Sequence, residues 1–145
     1  MKLSIALFAF ALMTIHCGNG TPVEYSNACN PDNNKKYIEV NGFLDEKGGI
    51  FCSNTSGPLE CGFKLYNNPG DEKYISSDIT VGSWSNNVEK PASGYKREEI
   101  KIWDNKGELV KLGEKVKLTG EITAVADKTA KDGVVCYLKV SKIER

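Results

Sequence analysis

The chain has 145 residues and 40% hydrophobic content, which suits one domain with a compact core and gives no reason to expect two. Its 19 basic and 19 acidic side chains balance, so the composition lacks the positive surplus that nucleic-acid binding needs. The one histidine, His16, lies near the N-terminus, which excludes a histidine-based triad and histidine metal ligands from the remainder. Phosphate-loop, G-x-S-x-G and calcium-loop patterns are also absent. We therefore expect a non-enzymatic protein with no metal or other cofactor.

The N-terminal segment has the pattern of a signal peptide. Lys2 supplies a positive end, and residues 3–15 form a mostly apolar run that is shorter than the roughly 20 residues of a membrane-spanning helix. A polar stretch follows at once, and we interpret residues 18–34 as a flexible tether. The folded domain is then expected over residues 35–145.

The end of this segment resembles the cleavage box of bacterial lipoproteins. Residues 14–17 read Thr-Ile-His-Cys, and in such a box the cysteine becomes the lipid-modified first residue. The resemblance implies a signal peptide over residues 1–17, lipidation at Cys17 and attachment to a membrane of the cell envelope. A strict box has Leu and a small residue where this chain has Thr14 and His16. Ordinary cleavage near Gly20, which would release a soluble secreted protein, therefore stays open, and both alternatives predict export.

In an exported protein we expect the four remaining cysteines to form disulfides, because an oxidising compartment favours them. Cys52 and Cys61 flank a turn-rich sequence between two short apolar strands, and each shares the parity of inward neighbours, so we pair them across a hairpin. Cys29 would then pair with Cys136 and close a long loop. Zinc is the alternative, but it is disfavoured because the chain has no C-x-x-C pair and no histidine beyond the signal segment.

The chain after the tether shows the alternation of apolar and polar residues that is typical of half-buried strands. Strands are predicted over residues 36–44, 50–53, 59–66, 74–81, 99–103, 108–112, 111–125 and 134–143. Gly42 and Gly120 lie in mid-strand, where a missing side chain indicates a bend, a bulge or a close backbone approach. Ile143 falls out of phase with the rest of its strand, as it would after a bulge. Residues 82–97 are irregular, and no stretch after the signal predicts an amphipathic helix of ten residues.

Three segments together resemble the OB-fold, a five-stranded Greek-key barrel. They are residues 37–42 (Tyr-Ile-Glu-Val-Asn-Gly), 113–122 and 138–143, and the resemblance covers about residues 36–145. More particularly, the chain resembles small exported bacterial OB-fold lipoproteins of undefined function. The expected fold is all-β, a small OB-fold-like Greek-key barrel of five to seven strands. An immunoglobulin-like sandwich or another small barrel is the alternative.

The OB-fold resemblance implies binding of oligonucleotides, oligosaccharides or protein partners on the face of the middle strands. Once Lys2 leaves with the signal, acidic side chains outnumber basic ones by one, so we do not expect nucleic acid. Strand parity places aromatic and basic side chains outward, namely Phe43, Tyr66, Trp103, Tyr137, Lys101, Lys117 and Lys139. Trp84, Tyr95 and Trp103, near the irregular loop, are the candidate ligand-binding residues.

The predicted function is that of an exported, lipid-anchored, non-enzymatic binding or envelope-interaction module. Its expected partners are the membrane, through the lipid at Cys17, and a protein or glycan ligand. The alternative is a soluble secreted OB-fold domain that binds oligosaccharide or single-stranded nucleic acid.

Overall fold

The computed structural model describes residues 19–55 and 57–145. The predicted signal peptide, with Cys17, lies outside the described residues, as do Gly18 and Ser56. The strands are β1 Thr21–Pro22, β2 Tyr37–Asp45, β3 Phe51–Ser53, β4 Glu60–Tyr66, β5 Tyr74–Thr80, β6 Ile102–Trp103, β7 Leu109–Val110, β8 Lys115–Ala126 and β9 Val134–Glu144. The helical elements are α1 Tyr25–Ala28 and the 3-10 turns Pro31–Asn33 and Arg97–Glu99.

Five of these strands close into a barrel in the order β2-β4-β5-β9-β8 and back to β2. Every neighbouring pair is antiparallel except β5 and β9, which run parallel. The short β1 and β3 extend the sheet, and β6 and β7 form a separate hairpin. The structure confirms the predicted all-β, OB-like Greek-key barrel.

The interior of the barrel is filled by the inward row of each strand, as the alternation predicts. These side chains are almost completely buried: Ile38, Val40, Leu44, Cys61, Phe63, Leu65, Ile75, Ile79, Val116, Leu118, Ile122, Leu138, Val140 and Ile143. Val88, Ile102 and Val110, from the segment between β5 and β8, join the same core. Val88 lies in the stretch 82–97 that looks irregular in the sequence, so this stretch supplies part of the hydrophobic core.

Two strand glycines let the barrel close tightly. A Cβ atom at Gly120 would lie 2.0 Å from the carbonyl oxygen of Lys139, and one at Gly42 would lie 2.7 Å from that of Tyr66. Near Gly120 the register between β8 and β9 shifts, because Thr119 pairs with Lys142 while Gly120 pairs with Val140. The shift is a bulge in β9, which confirms the cause inferred for the phase of Ile143.

The N-terminal residues 21–34 differ from the predicted flexible tether, because they pack against the barrel. β1 runs parallel to β2, and the Val23 amide donates to the Glu39 carbonyl at 2.9 Å. The Tyr25 hydroxyl donates to the Leu65 carbonyl at 2.8 Å, and Ala28 is fully buried. The folded domain therefore begins before residue 35. Isolated apolar residues carry no periodic pattern, so the sequence does not reveal that these contacts form.

Both predicted disulfides are present. Cys29 bonds to Cys136 and Cys52 bonds to Cys61, the latter pair directly opposite each other on β3 and β4. Two disulfides in so small a domain are typical of an oxidising compartment and so indicate export.

The hairpin of β6 and β7 is shorter than the predicted strands 99–103 and 108–112, and a 3-10 turn occupies residues 97–99. Asp104 stabilises the turn of this hairpin. Its carboxylate oxygen accepts hydrogen bonds from the backbone amides of Lys106 and Glu108, each with a nitrogen–oxygen distance of 2.9 Å. Burial alone would raise the pKa of Asp104, but these amide donors and the Arg145 guanidinium outweigh it and hold that pKa below its usual value.

Candidate functional site

The three candidate ligand-binding residues contact different parts of the molecule. Trp84 is 71% exposed in the turn after β5. Tyr95 is half-buried, and its hydroxyl accepts from the Ile50 amide at 2.8 Å. Trp103 is half-buried in β6, with its indole nitrogen buried and without a hydrogen-bond partner in the described part of the chain. No contact recorded among residues 19–55 and 57–145 joins these three side chains into one site.

Tyr66 lies on the outer face of the barrel, as strand parity predicts, but it is not open to solvent. Tyr66 ends β4 where that strand lies between β2 and β5, and it is only 5% exposed. Its ring packs against Tyr74 with centroids 5.8 Å apart, and the Lys47 ammonium lies 5.3 Å above it. Strand parity places Tyr66 on the outer face, but the neighbouring side chains cover that position. Of the other predicted aromatics, Phe43 is half-buried and Tyr137 is exposed.

A different set of exposed apolar residues lies on one side of the barrel, on β3, β5, β9 and the end of β8. Its members are Phe51, Tyr74, Val125, Val135 and Tyr137, which are 39% to 77% exposed. We call this set, with the polar residues between its members, the aromatic face. Exposed apolar side chains that form a contiguous patch mark a binding surface.

The sheet register shows how the members of the aromatic face come together. Val125 pairs directly with Val135, and Tyr137 lies between Thr123 of β8 and Ser76 of β5. Tyr74 precedes Ser76 by two residues and so projects from the same side of β5. Tyr74, Val125, Val135 and Tyr137 therefore form one cluster at one end of the barrel.

Phe51 occupies the opposite border of this face. It pairs with Gly62, which pairs with Asp78, which in turn pairs with Lys139. A Cβ atom at Gly62 would meet nothing closer than 3.5 Å, so packing does not demand glycine there. Phe51 is the most exposed of the aromatic rings on this face.

The centre of the face is polar and electrically balanced. The Lys139 ammonium lies 3.1 Å from a Glu60 carboxylate oxygen, and the Lys64 ammonium lies 4.9 Å from the centre of the Tyr74 ring. Burial raises the pKa of Asp78, the neighbouring Glu60 charge raises it further, and Lys139 opposes both. Two carboxyl groups and two lysines give no surplus of positive charge, so the face does not suit a phosphate backbone.

The sequence contains a signal for two members of the aromatic face. Phe51 precedes the inward Cys52 and Tyr74 precedes the inward Ile75, so alternation places both rings outside. Alternation does not predict which strands are neighbours in the sheet. β5 pairs with β9 only through the parallel contact that completes the barrel.

Within residues 19–55 and 57–145, no group of three or more His, Cys, Asp or Glu side chains is placed to hold a metal ion. No helix in those same ranges is long and apolar enough to span a membrane. No protein-family model, curated protein or solved structure matches the chain.

Proposed function

We propose that this protein is an exported, non-enzymatic binding module whose aromatic face engages a protein of the cell envelope. The observation that carries the proposal is the cluster of exposed apolar side chains on adjacent strands. Aromatic residues are enriched at protein interfaces, where a few buried rings supply most of the binding energy. The two valines extend the apolar surface beyond what stacking on a base or a sugar requires. The balanced charge of the centre favours a protein over a polyanion.

We further propose that Cys17 carries a lipid that anchors the module to a membrane. Two observations support this proposal: the lipoprotein-like residues 14–17 and the two disulfides of the domain. Since the chain from Thr21 onward packs against β2, three residues separate the anchor from the barrel. The four Cα–Cα steps from Cys17 to Thr21 span at most about 14 Å, so the barrel would stay close to the bilayer surface. A partner on the same membrane would then be within reach.

The anchor predicts a defined mass for the protein purified from its own host. We expect a chain that begins at Cys17 and carries acyl groups, with four thiols that appear only after reduction. Intact-mass spectrometry before and after reduction with alkylation measures both features. An unacylated chain that begins near Thr21 would contradict the anchor and leave the soluble secreted alternative.

The aromatic face predicts where a partner cross-links. With a photo-crosslinking amino acid at position 51 or 137, we expect both positions to capture the same envelope protein in living host cells. Position 84 is the matched control, because Trp84 is an aromatic residue outside the face whose exposure of 71% is close to the 77% of Phe51. Capture from position 84 alone, or from none of the three positions, would refute the proposed surface.

The same residues predict a loss of affinity for the captured partner. We expect the double variant Phe51→Ala and Tyr137→Ala to bind at least about tenfold more weakly, since truncation of an interface ring costs over about 1 kcal/mol. Trp84→Ala should change the dissociation constant less than about twofold. All three side chains are exposed, so the variants should remain folded, and circular dichroism checks this. Equal affinity for the double variant and the wild type would contradict the proposal.

A further inference from the structure

A polar groove lies away from the aromatic face, between the N-terminal arm (residues 22–25) and the outer side of β2 and β8. Its volume is about 650 Å³, which is the size of a small-ligand site. The outward side chains of Glu39, Asn41 and Phe43 line it from β2, and Asn67 and Asn68 line it from the turn after β4. The groove uses none of the five exposed apolar residues of the aromatic face.

The arm that walls this groove is held in place. The backbone amide of Val23 donates a hydrogen bond to the Glu39 carbonyl, and the hydroxyl of Tyr25 donates one to the Leu65 carbonyl in the barrel. Burial raises the pKa of Tyr25 to about 12, so the phenol stays protonated and keeps this hydrogen bond well into the alkaline range. The disulfide from Cys29, four positions after the arm, fixes this part of the chain to β9. A fixed wall means that the groove exists before a ligand arrives, which reduces the entropic cost of binding.

Four polar side chains that line the groove have no recorded partner within residues 19–55 and 57–145. The amides of Asn41 and Asn67 make no side-chain hydrogen bond there, and Glu24 and Lys115 make no ion pair. Lys117, in contrast, lies 3.0 Å from Glu144 and 3.6 Å from Glu39, so its charge is already matched. The groups left for a ligand are therefore two amides, one carboxylate and one ammonium.

The chemistry of these four groups indicates which class of ligand the groove suits. An amide donates through its nitrogen and accepts through its oxygen, which matches hydroxyl groups that do both. Phe43 adds an apolar ring against which the C–H side of a sugar can pack. One unpaired carboxylate and one unpaired ammonium cancel, so the groove offers no net attraction to a polyanion. We infer that this groove is a second binding site, independent of the aromatic face, and that its ligand is a short uncharged oligosaccharide.

The inference is tested by NMR titration of the ¹⁵N-labelled exported protein with cellotriose, maltotriose and chitotriose in turn. We expect at least one trisaccharide to shift the backbone amide signals of Asn41, Phe43 and Asn68 in a saturable way. The affinity should not change when the salt concentration rises, because neither partner carries net charge at the site. Inorganic phosphate and triglycine are the competing probes, for an anion and a peptide, and neither should shift these signals.

Paired variants give the result a second readout. The double variant Asn41→Ala and Asn67→Ala removes two exposed amides that make no recorded side-chain bond, so it should fold normally. We expect it to bind the active trisaccharide about tenfold more weakly, because two hydrogen bonds are lost. Asn54→Ala, an exposed asparagine outside the groove, is the matched control and should bind within about twofold of the wild type.

Three results would overturn the inference. The first is that none of the three trisaccharides shifts the groove signals while the protein is folded. The second is that phosphate or triglycine shifts them instead, which would assign the groove to another ligand class. The third is that the double variant binds the active trisaccharide as tightly as the wild type. Because the aromatic face shares no residue with the groove, a failed cross-linking experiment there leaves this test unaffected.

Discussion

The substitution Gly120→Ala is expected to remove about 3 kcal/mol or more of the folding free energy. A Cβ atom at this position would lie 2.0 Å from the Lys139 carbonyl oxygen and 2.8 Å from its carbonyl carbon. Both atoms belong to the backbone of β9, so no side-chain rotation can relieve the clash. β8 and β9 would have to separate beside the bulge. Since domains of this kind are stable by about 5–15 kcal/mol, the loss is a large fraction of the total.

Urea unfolding followed by circular dichroism measures this effect, and Gly62→Ala is the matched control. Gly62 is also a strand glycine, but the nearest atom to a Cβ there is 3.5 Å away, an ordinary contact distance. We expect Gly62→Ala to change the free energy of unfolding by less than about 1 kcal/mol. Equal stability of the two variants would mean that β9 does not approach Gly120 as closely as described.

Removal of the disulfide between Cys29 and Cys136 is expected to have an effect of similar size. This bond closes a loop of 107 residues, and loop-closure entropy assigns about 4.7 kcal/mol to a loop of roughly 100 residues. The double variant Cys29→Ala and Cys136→Ala should therefore show a free energy of unfolding that is lower by about 4 kcal/mol. Hydrogen exchange should also show faster exchange of the Val23 amide, because the arm loses its covalent attachment.

The second disulfide is the internal control for this prediction. Cys52 and Cys61 are separated by only nine positions, so the same entropy argument assigns their bond less than about 3 kcal/mol. The variant that lacks this bond should keep normal protection of the Val23 amide, because the arm remains attached. A larger loss of stability from the short loop than from the long one would contradict the loop-closure argument for this protein.

The strands were predictable because each barrel strand buries one of its faces. Burial of every second residue imposes a period of two on the sequence, and predicted strands such as 36–44 and 59–66 agree with β2 and β4 to within one residue. The hairpin formed by β6 and β7 was overestimated in length because periodicity reports burial rather than hydrogen bonding. Ile100 and Leu112 lie against the core without belonging to a strand.

The candidate sites were much less predictable than the strands. Tyr66 and Tyr137 both project outward by parity, yet one is covered by its neighbours and the other is exposed. The groove depends on the packed arm, whose few apolar residues show no period in the sequence. Trp84, Tyr95 and Trp103 are close along the chain, but their recorded contacts are with different parts of the structure.

The all-β class, the inward rows, the positions of the two tight glycines and the pairing of the cysteines all follow from the sequence. Each of these features is local, or is repeated along a strand, because a buried face leaves its pattern in the order of residues. The neighbours of an outward side chain leave no such pattern, since solvent accepts many residue types there. The aromatic face forms only because the closure of the barrel places β5 beside β9. The groove forms only because the arm packs beside β2.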